Sequence, residues 1–229
     1  MGTTQTGRRF YVGMGLALIL LSILGFTPFM YARFSSGGQM SLALMAHGIS
    51  FFAWLGLFTY QASLVRAKNL KKHMKLGQAS VGLALIMLAS GVAVMSEVFA
   101  RGDASATPFT SEQFVMLPLM DISIFAVYYT LAIMNRKVPE THKRLMLLVG
   151  IMMIDPATGR LGLTLGFPPI GMLFHFGLIF AMCMYDRRTL GQIHKVTWIA
   201  LLVLAARYAA FFIIGPTETW ARFTHMLLG

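Results

Sequence analysis

Seven apolar runs dominate this sequence, and each is long enough to cross the hydrocarbon core of a bilayer as a helix. Of the 229 residues, 57% are hydrophobic and 12% are charged, which is too little charge for the surface of a soluble domain of this size. We therefore predict an all-α polytopic membrane protein that forms a single domain over residues 1–229. The predicted spans are, roughly, 10–31, 41–65, 77–99, 114–134, 144–166, 169–185 and 195–215.

The positive charge is concentrated on one side of the predicted bundle. Fourteen of the nineteen Lys and Arg residues lie near the start of the chain or in the connections that follow the second, fourth and sixth spans. The positive-inside rule then predicts a cytoplasmic N-terminus and an external C-terminus. This distribution explains the net charge of +11 without nucleic acid and makes the lipid bilayer the expected partner. The C-terminal segment PTETWARFTHMLLG is predicted to lie at the outer interface, with Trp220 in the aromatic belt.

The three basic connections share one layout: a basic residue and, six or seven positions later, a histidine that opens the next span. The histidines are His73, His142 and His194. The shared layout predicts that the bundle consists of one leading helix followed by three hairpins. Two interpretations of the histidines remain open. They converge as metal or haem ligands at the cytoplasmic face, or each one closes a basic turn at the membrane interface.

Two charged residues interrupt apolar spans at matching depth. Asp155 follows His142 by thirteen residues and Arg207 follows His194 by thirteen, so each lies about 20 Å along its helix. A charge near the middle of a membrane costs roughly 2.5–3.5 kcal/mol and usually finds a partner inside the bundle. We therefore predict a buried ion pair between Asp155 and Arg207. Pro156, which cannot donate a backbone hydrogen bond, is predicted to bend the fifth span, as Pro118 bends the fourth.

Further ionisable residues are predicted to lie in the outer half of the membrane, in the second to sixth spans. Such residues mark a site or a pathway in many membrane proteins, although a single histidine on an apolar face is more often a hydrogen-bonded core residue. Their spacing matches no metalloprotease motif, and every lysine lies in or beside the basic connections, which excludes a retinal Schiff base. The predicted outer-half cluster contains His47, Glu97, Asp121, Arg160 and His175.

The segments AHGISFFAWLGLFTYQASLV, HMKLG and PETHKRLMLL carry a resemblance to a group of small bacterial membrane proteins. That group has an H-x6-W…Q…LV helix, an H-x-x-L-G turn and an H-K-R-L-M helix start, and the resemblance extends from about residue 40 onward. It implies a bacterial origin, multi-pass insertion in the inner membrane and the same fold, but no activity. A fainter, local likeness links the histidine segments to membrane b-type cytochromes. The matching residues are His47, Trp54, Gln61, His73, His142 and Arg144.

Two functions remain open at this stage. The first is a redox-type membrane protein that binds haem b or a divalent metal, with His73 and His142 as one ligand pair and His47 and His175 as another. The second is a cofactor-free membrane protein that binds a small ligand, for example a hydrophobic one, or acts as an accessory subunit of a larger membrane complex. The sequence contains no motif that assigns a catalytic residue.

Overall fold

The computed structural model describes residues 5–102 and 109–229, with side chains from Arg9 onward. These residues form helices and connecting turns, and the described part of the chain contains no β-strand. In chain order the helices are α1 Gln5–Ser35, α2 Leu42–Arg66, α3 Leu70–Ala100, α4 Ser111–Met134, α5 Pro139–Met152, α6 Asp155–Thr164, α7 Ile170–Leu190, α8 Lys195–Ile213 and α9 Glu218–Leu228.

Seven helical segments are long and apolar enough to cross a membrane, which confirms the predicted number of spans. Six of them are α1 to α4, α7 and α8, and the remaining one, Pro139–Thr164, is formed by α5 and α6 together. Their outward faces carry large apolar side chains that a bilayer would cover, among them Leu85, Ile86, Leu202 and Ile213. The protein is therefore an all-α bundle of the multi-pass type.

The fifth span is broken rather than bent. Helix α5 ends at Met152 and α6 begins at Asp155, with Pro156 in the first turn of α6. Proline has no N–H to donate to the carbonyl of Met152, and its ring would clash with that carbonyl in a continuous helix. A break at this depth is tolerated because neighbouring helices surround it. In contrast, α4 continues through Pro118 from Ser111 to Met134.

Helix α5 lies at the centre of the bundle. Leu147, Leu148, Val149, Ile151 and Met152 are all 0% exposed, so α5 contacts protein on every side. The other spans each keep a broad exposed face. A helix buried in this way holds its polar side chains in fixed positions. The fifth span, which begins with α5, contributes a charged residue to each of the two polar networks of the bundle.

Helix α1 packs closely against α6. A Cβ atom on Gly25 would overlap the backbone carbonyl of Ala157, so only glycine permits this approach of the two backbones. On the adjoining side of α6, a Cβ atom on Gly171 of α7 would lie 3.1 Å from the backbone of Gly159. The short helix α6 is thus held between α1 and α7 through small residues.

The basic connections lie together at one end of the bundle, which is called the basic end below. Here the ring of Phe10, near the start of α1, stacks on Tyr185, near the end of α7, with centroids 4.2 Å apart. The ammonium of Lys143, in the first turns of α5, lies 5.6 Å from the ring centroid of Tyr11. The start of α1 and the connections after the second, fourth and sixth spans therefore meet at the same end, as the charge pattern predicts.

The C-terminal segment forms a short helix, α9, at the end opposite the basic end. The indole N–H of Trp220 donates to the backbone carbonyl of Glu112, at the start of α4, at 2.6 Å. Phe223, Met226 and Leu227 project apolar surface outward from the same helix. A short helix with one packed face and one exposed apolar face fits a position at a membrane interface.

Candidate functional site

Two of the three predicted histidines meet at the basic end. His73 lies in the first turn of α3 and His142 in the first turn of α5, and their ring centroids are 6.5 Å apart with planes at 84°. His142 Nδ1 is 2.8 Å from the carbonyl oxygen of Ala132. Because a carbonyl only accepts, Nδ1 carries a proton, and in a neutral imidazole the lone pair is then on Nε2. This tautomer is the one that metal-bound histidines usually adopt.

Two buried polar atoms beside this pair have no partner among the residues that the structure describes. They are Nδ1 of His73 and Oε1 of Gln61 on α2. The imidazole of His73 also approaches the backbone carbonyl of Gln61, which brings the two residues together. Buried polar atoms are nearly always hydrogen-bonded, so unpartnered ones need an explanation such as a bound group. These three residues are called the histidine pair site: Gln61, His73 and His142.

His194 does not join the other two histidines. It is the N-cap of α8, where its Nδ1 accepts a hydrogen bond from the backbone N–H of Val196 at 3.2 Å. Burial and the nearby Arg144 guanidinium lower the pKa of His194 from its ordinary value of 6.5, which favours this neutral accepting form. The position of His194 fits the interpretation in which a histidine closes a basic turn at the membrane interface, rather than the one in which it is a ligand.

A buried ion network at the basic end was missed by the sequence analysis. Arg144 on α5 donates from Nε and Nη2 to Oδ1 of Asp186 on α7, at 2.8 and 2.6 Å. The other oxygen of Asp186 accepts from the backbone N–H of His194 at 3.0 Å and from the hydroxyl of Thr197 at 2.6 Å. Glu140 completes the network through Nη1 of Arg144. One carboxylate therefore links α5, α7 and the start of α8.

A second network lies inside the membrane-spanning region and joins four helices. Arg207 on α8 contacts Asp121 on α4, from Nε and Nη2 at 2.9 Å each, and Asp155 on α6, from Nη2 at 3.1 Å. The hydroxyl of Tyr208 donates to Oδ1 of Asp155 at 2.6 Å. His175 on α7 lies with Nδ1 3.1 Å from that hydroxyl and 3.6 Å from Oδ1 of Asp155. These five residues form the intramembrane cluster: Asp121, Asp155, His175, Arg207 and Tyr208.

The other members of the predicted outer-half cluster lie elsewhere. His47 contacts the hydroxyl of Ser90 on α3 through Nδ1 at 3.2 Å. Arg160 donates to the carbonyl of Pro156 at 2.8 Å, and its guanidinium lies 4.6 Å from the ring centroid of Phe29. Glu97 forms no ion pair with any of the described residues.

The two predicted haem-ligand pairs therefore differ in the structure. His73 and His142 lie together, whereas no hydrogen bond or ring contact joins His47 to His175 within the described ranges. In those same ranges, no group of three or more His, Cys, Asp or Glu side chains is placed to hold a metal ion. A metal at the histidine pair site would thus need further ligands, from Gln61, from solvent or from a porphyrin.

The two networks share three spans: the fifth, which α5 and α6 form, and those of α7 and α8. On α7, Asp186 serves the basic-end network and His175 serves the intramembrane cluster, eleven residues or about 16 Å apart. On α8, Thr197 belongs to the basic-end network and Arg207, ten residues later, belongs to the intramembrane cluster. The broken helix between Met152 and Asp155 lies between the two layers.

This architecture, with buried charges and a broken helix in the spanning region, defines the class as a multi-pass α-helical membrane protein with an internal polar site. Comparison of the chain with protein-family models, with curated proteins and with solved structures finds no match.

Proposed function

We propose that the protein binds a transition metal through His73 and His142 at the basic end and serves a redox role in the membrane. The observation that carries this proposal is the close approach of the two imidazoles, 6.5 Å between ring centroids. Imidazole is a ligand for zinc, copper and iron, whether the iron is free or in haem.

The distance suits a shared metal. A metal–imidazole bond is about 2.0–2.1 Å, so two opposed ligands with their ring radii span about 6 Å between centroids. The Nδ1–carbonyl contact of His142 supports the same assignment, because it orients the ring and leaves Nε2 as the ligating atom. The unpartnered Nδ1 of His73 supplies a second nitrogen of the right kind.

The test is a visible absorption spectrum together with elemental analysis of the purified protein. A Soret band indicates haem, whereas stoichiometric metal without a Soret band indicates a bound ion. Either signal should be lost or strongly reduced in His73→Ala and in His142→Ala. His225→Ala is the matched control, because His225 lies on α9 with its side chain 61% exposed. A well-folded wild-type protein that is colourless and free of metal would overturn the proposal.

A second candidate function is supported by a separate observation. Nη1 of Arg207 and Nε2 of His175 are buried and have no hydrogen-bond partner among the described residues. Two unpartnered nitrogen atoms within one polar cluster support a cofactor-free protein that binds a small polar ligand in the membrane. Native mass spectrometry of the wild-type protein should then detect a bound small molecule that is lost in His175→Gln, and bare protein in both samples would contradict this candidate.

A further inference from the structure

The acidic and basic charges of the intramembrane cluster do not balance. Two carboxylates, Asp121 and Asp155, face one guanidinium, that of Arg207. All three side chains are at most 14% exposed. An uncompensated charge at this depth is costly, so the cluster requires one further positive charge.

The hydrogen bonds between His175, Tyr208 and Asp155 have a definite direction. A carboxylate oxygen accepts, so the 2.6 Å contact from Tyr208 to Oδ1 of Asp155 uses the hydroxyl proton of Tyr208. While Asp155 is ionised, the tyrosine oxygen is thus the acceptor for His175 Nδ1 at 3.1 Å, and Nδ1 carries a proton. The three groups form a chain that runs from imidazole to phenol to carboxylate.

No other titratable side chain that the structure describes faces this chain from the surrounding helices. The titratable side chains of α5 lie at the basic end; they are Glu140, His142, Lys143 and Arg144. The described titratable side chains of α1 lie near the two ends of that helix. Asp121 from α4 and Arg207 from α8 contact the chain, and Arg160 on α6 faces Phe29 instead. The titrating groups are therefore Asp121, Asp155 and His175.

We propose that the intramembrane cluster is a proton-binding site that holds one exchangeable proton, shared between His175 and Asp155 through Tyr208. In one form His175 is an imidazolium and Asp155 a carboxylate. In the other, His175 has passed its Nδ1 proton to Tyr208, and Tyr208 has passed its own proton to Asp155, which leaves a neutral imidazole with its proton on Nε2. Both forms are neutral when summed with Asp121 and Arg207, so the proton moves without creating net charge in the membrane.

This proton site is independent of a metal at the basic end, and its test needs no ligand. The protein is labelled with ¹⁵N-histidine, and its nitrogen chemical shifts are recorded by NMR together with its infrared carboxylic acid C=O band. His175 is assigned with His175→Gln, and the carboxylic acids with Asp155→Glu and Asp121→Glu, which keep the number of ionisable groups in the cluster and shift the C=O band of the altered residue. At neutral pH we expect His175 with both nitrogens protonated, a carboxylic acid band from Asp155, or a mixture of the two.

Tyr208→Phe provides a second, milder variant because it removes one oxygen atom and keeps the ring. It should shift the proton toward one end of the chain, with a change in the ratio of the His175 and Asp155 signals. Glu218→Gln on the exposed face of α9 is the control and should change neither signal. A neutral His175 combined with no carboxylic acid band from Asp155 would overturn the proposal, and so would a band that shifts in Asp121→Glu and keeps its position in Asp155→Glu.

Discussion

Arg144 on α5 donates two hydrogen bonds to a single oxygen of Asp186 on α7, and neither side chain is exposed. The second oxygen of the same carboxylate accepts hydrogen bonds from the backbone N–H of His194 and the hydroxyl of Thr197, at the start of α8. This fully buried charge pair is held in place because each nitrogen of the guanidinium and each oxygen of the carboxylate has a hydrogen-bond partner. This pair therefore fixes the relative positions of three spans at the basic end.

Removal of one partner of this pair should destabilise the bundle strongly. In Asp186→Asn the guanidinium of Arg144 loses its main counter-charge, and such a loss costs about 3–5 kcal/mol in protein interiors. The free energy of unfolding in detergent measures the effect. Glu218→Gln removes a carboxylate from an exposed pair with Arg222 and is the matched control, with little change expected. Equal effects of the two variants would show that burial of the Arg144–Asp186 pair is unimportant.

The pair of Asp155 and Arg207 should show coupled, non-additive effects. Arg207→Gln leaves both Asp121 and Asp155 without a counter-charge, whereas in Asp155→Asn the guanidinium of Arg207 loses one of its two ionic contacts and keeps the one to Asp121. We expect the double variant to lose about 1–3 kcal/mol less stability than the sum of the single variants. A thermodynamic cycle of unfolding free energies gives this difference. Strictly additive losses would show that the two side chains do not interact in the membrane.

The overall fold follows from the sequence because membrane insertion makes local demands. A span must be apolar over about twenty residues whatever surrounds it, so the seven segments are visible in the hydropathy pattern alone. The position of Arg207 opposite Asp155 was also predictable, since equal depth in two spans and opposite charge leave few alternatives.

Which side chains pair with each other inside the bundle could not be predicted from the sequence in the same way. Asp186 sits among basic residues at the end of α7, and nothing in the linear pattern indicates that it turns inward to Arg144. Tyr208 was missed because a tyrosine in an apolar span is ordinary, and its role depends on the facing helices. His47 and His175 show the converse: similar depth does not make two residues neighbours, because His47 packs toward α3 and His175 toward α8.

The orientation of the bundle in the membrane is a separate prediction from the charge pattern. A reporter fused after Arg66 should be cytoplasmic, because the basic end should face the cytoplasm. A reporter inserted in ASATPFT, residues 104–110, should be external; most of this segment lies outside the described residues. Enzymatic reporters active on only one side of the membrane give the answer. The reverse pattern would invert the topology and place the histidine pair site on the outer side.

Close packing of α1 on α6 should depend on Gly25. Gly25→Ala adds a methyl group against the backbone carbonyl of Ala157, which cannot move without shifting α6, so we expect a loss of about 1–3 kcal/mol. Gly48→Ala on α2 is the control, because its new Cβ would meet no atom of the described chain within 4 Å. Removal of a glycine from a helix interior is otherwise neutral or favourable. Thermal unfolding should separate the two variants, and a Gly25→Ala protein as stable as wild type would mean that the two helices are not in close contact.

His194 should make the stability of the basic end depend on pH. Its pKa is lowered in the folded protein by burial and by Arg144, so the unfolded chain binds a proton at a pH where the folded chain does not. Stability is then lost as the pH falls through about 6.5, and it is retained above that value. Protonation also removes the lone pair with which Nδ1 caps α8, a contact worth about 1 kcal/mol.

The matched variant is His194→Asn, because asparagine caps a helix with a side-chain oxygen that does not titrate in this range. Unfolding free energies of wild type and variant, measured between about pH 5 and 8, should agree near pH 8 and diverge toward pH 5, where the variant is the more stable. The two proteins differ only at position 194, so the difference between the curves isolates the effect of His194. Parallel curves over the whole range would show that the cap of α8 does not respond to protonation.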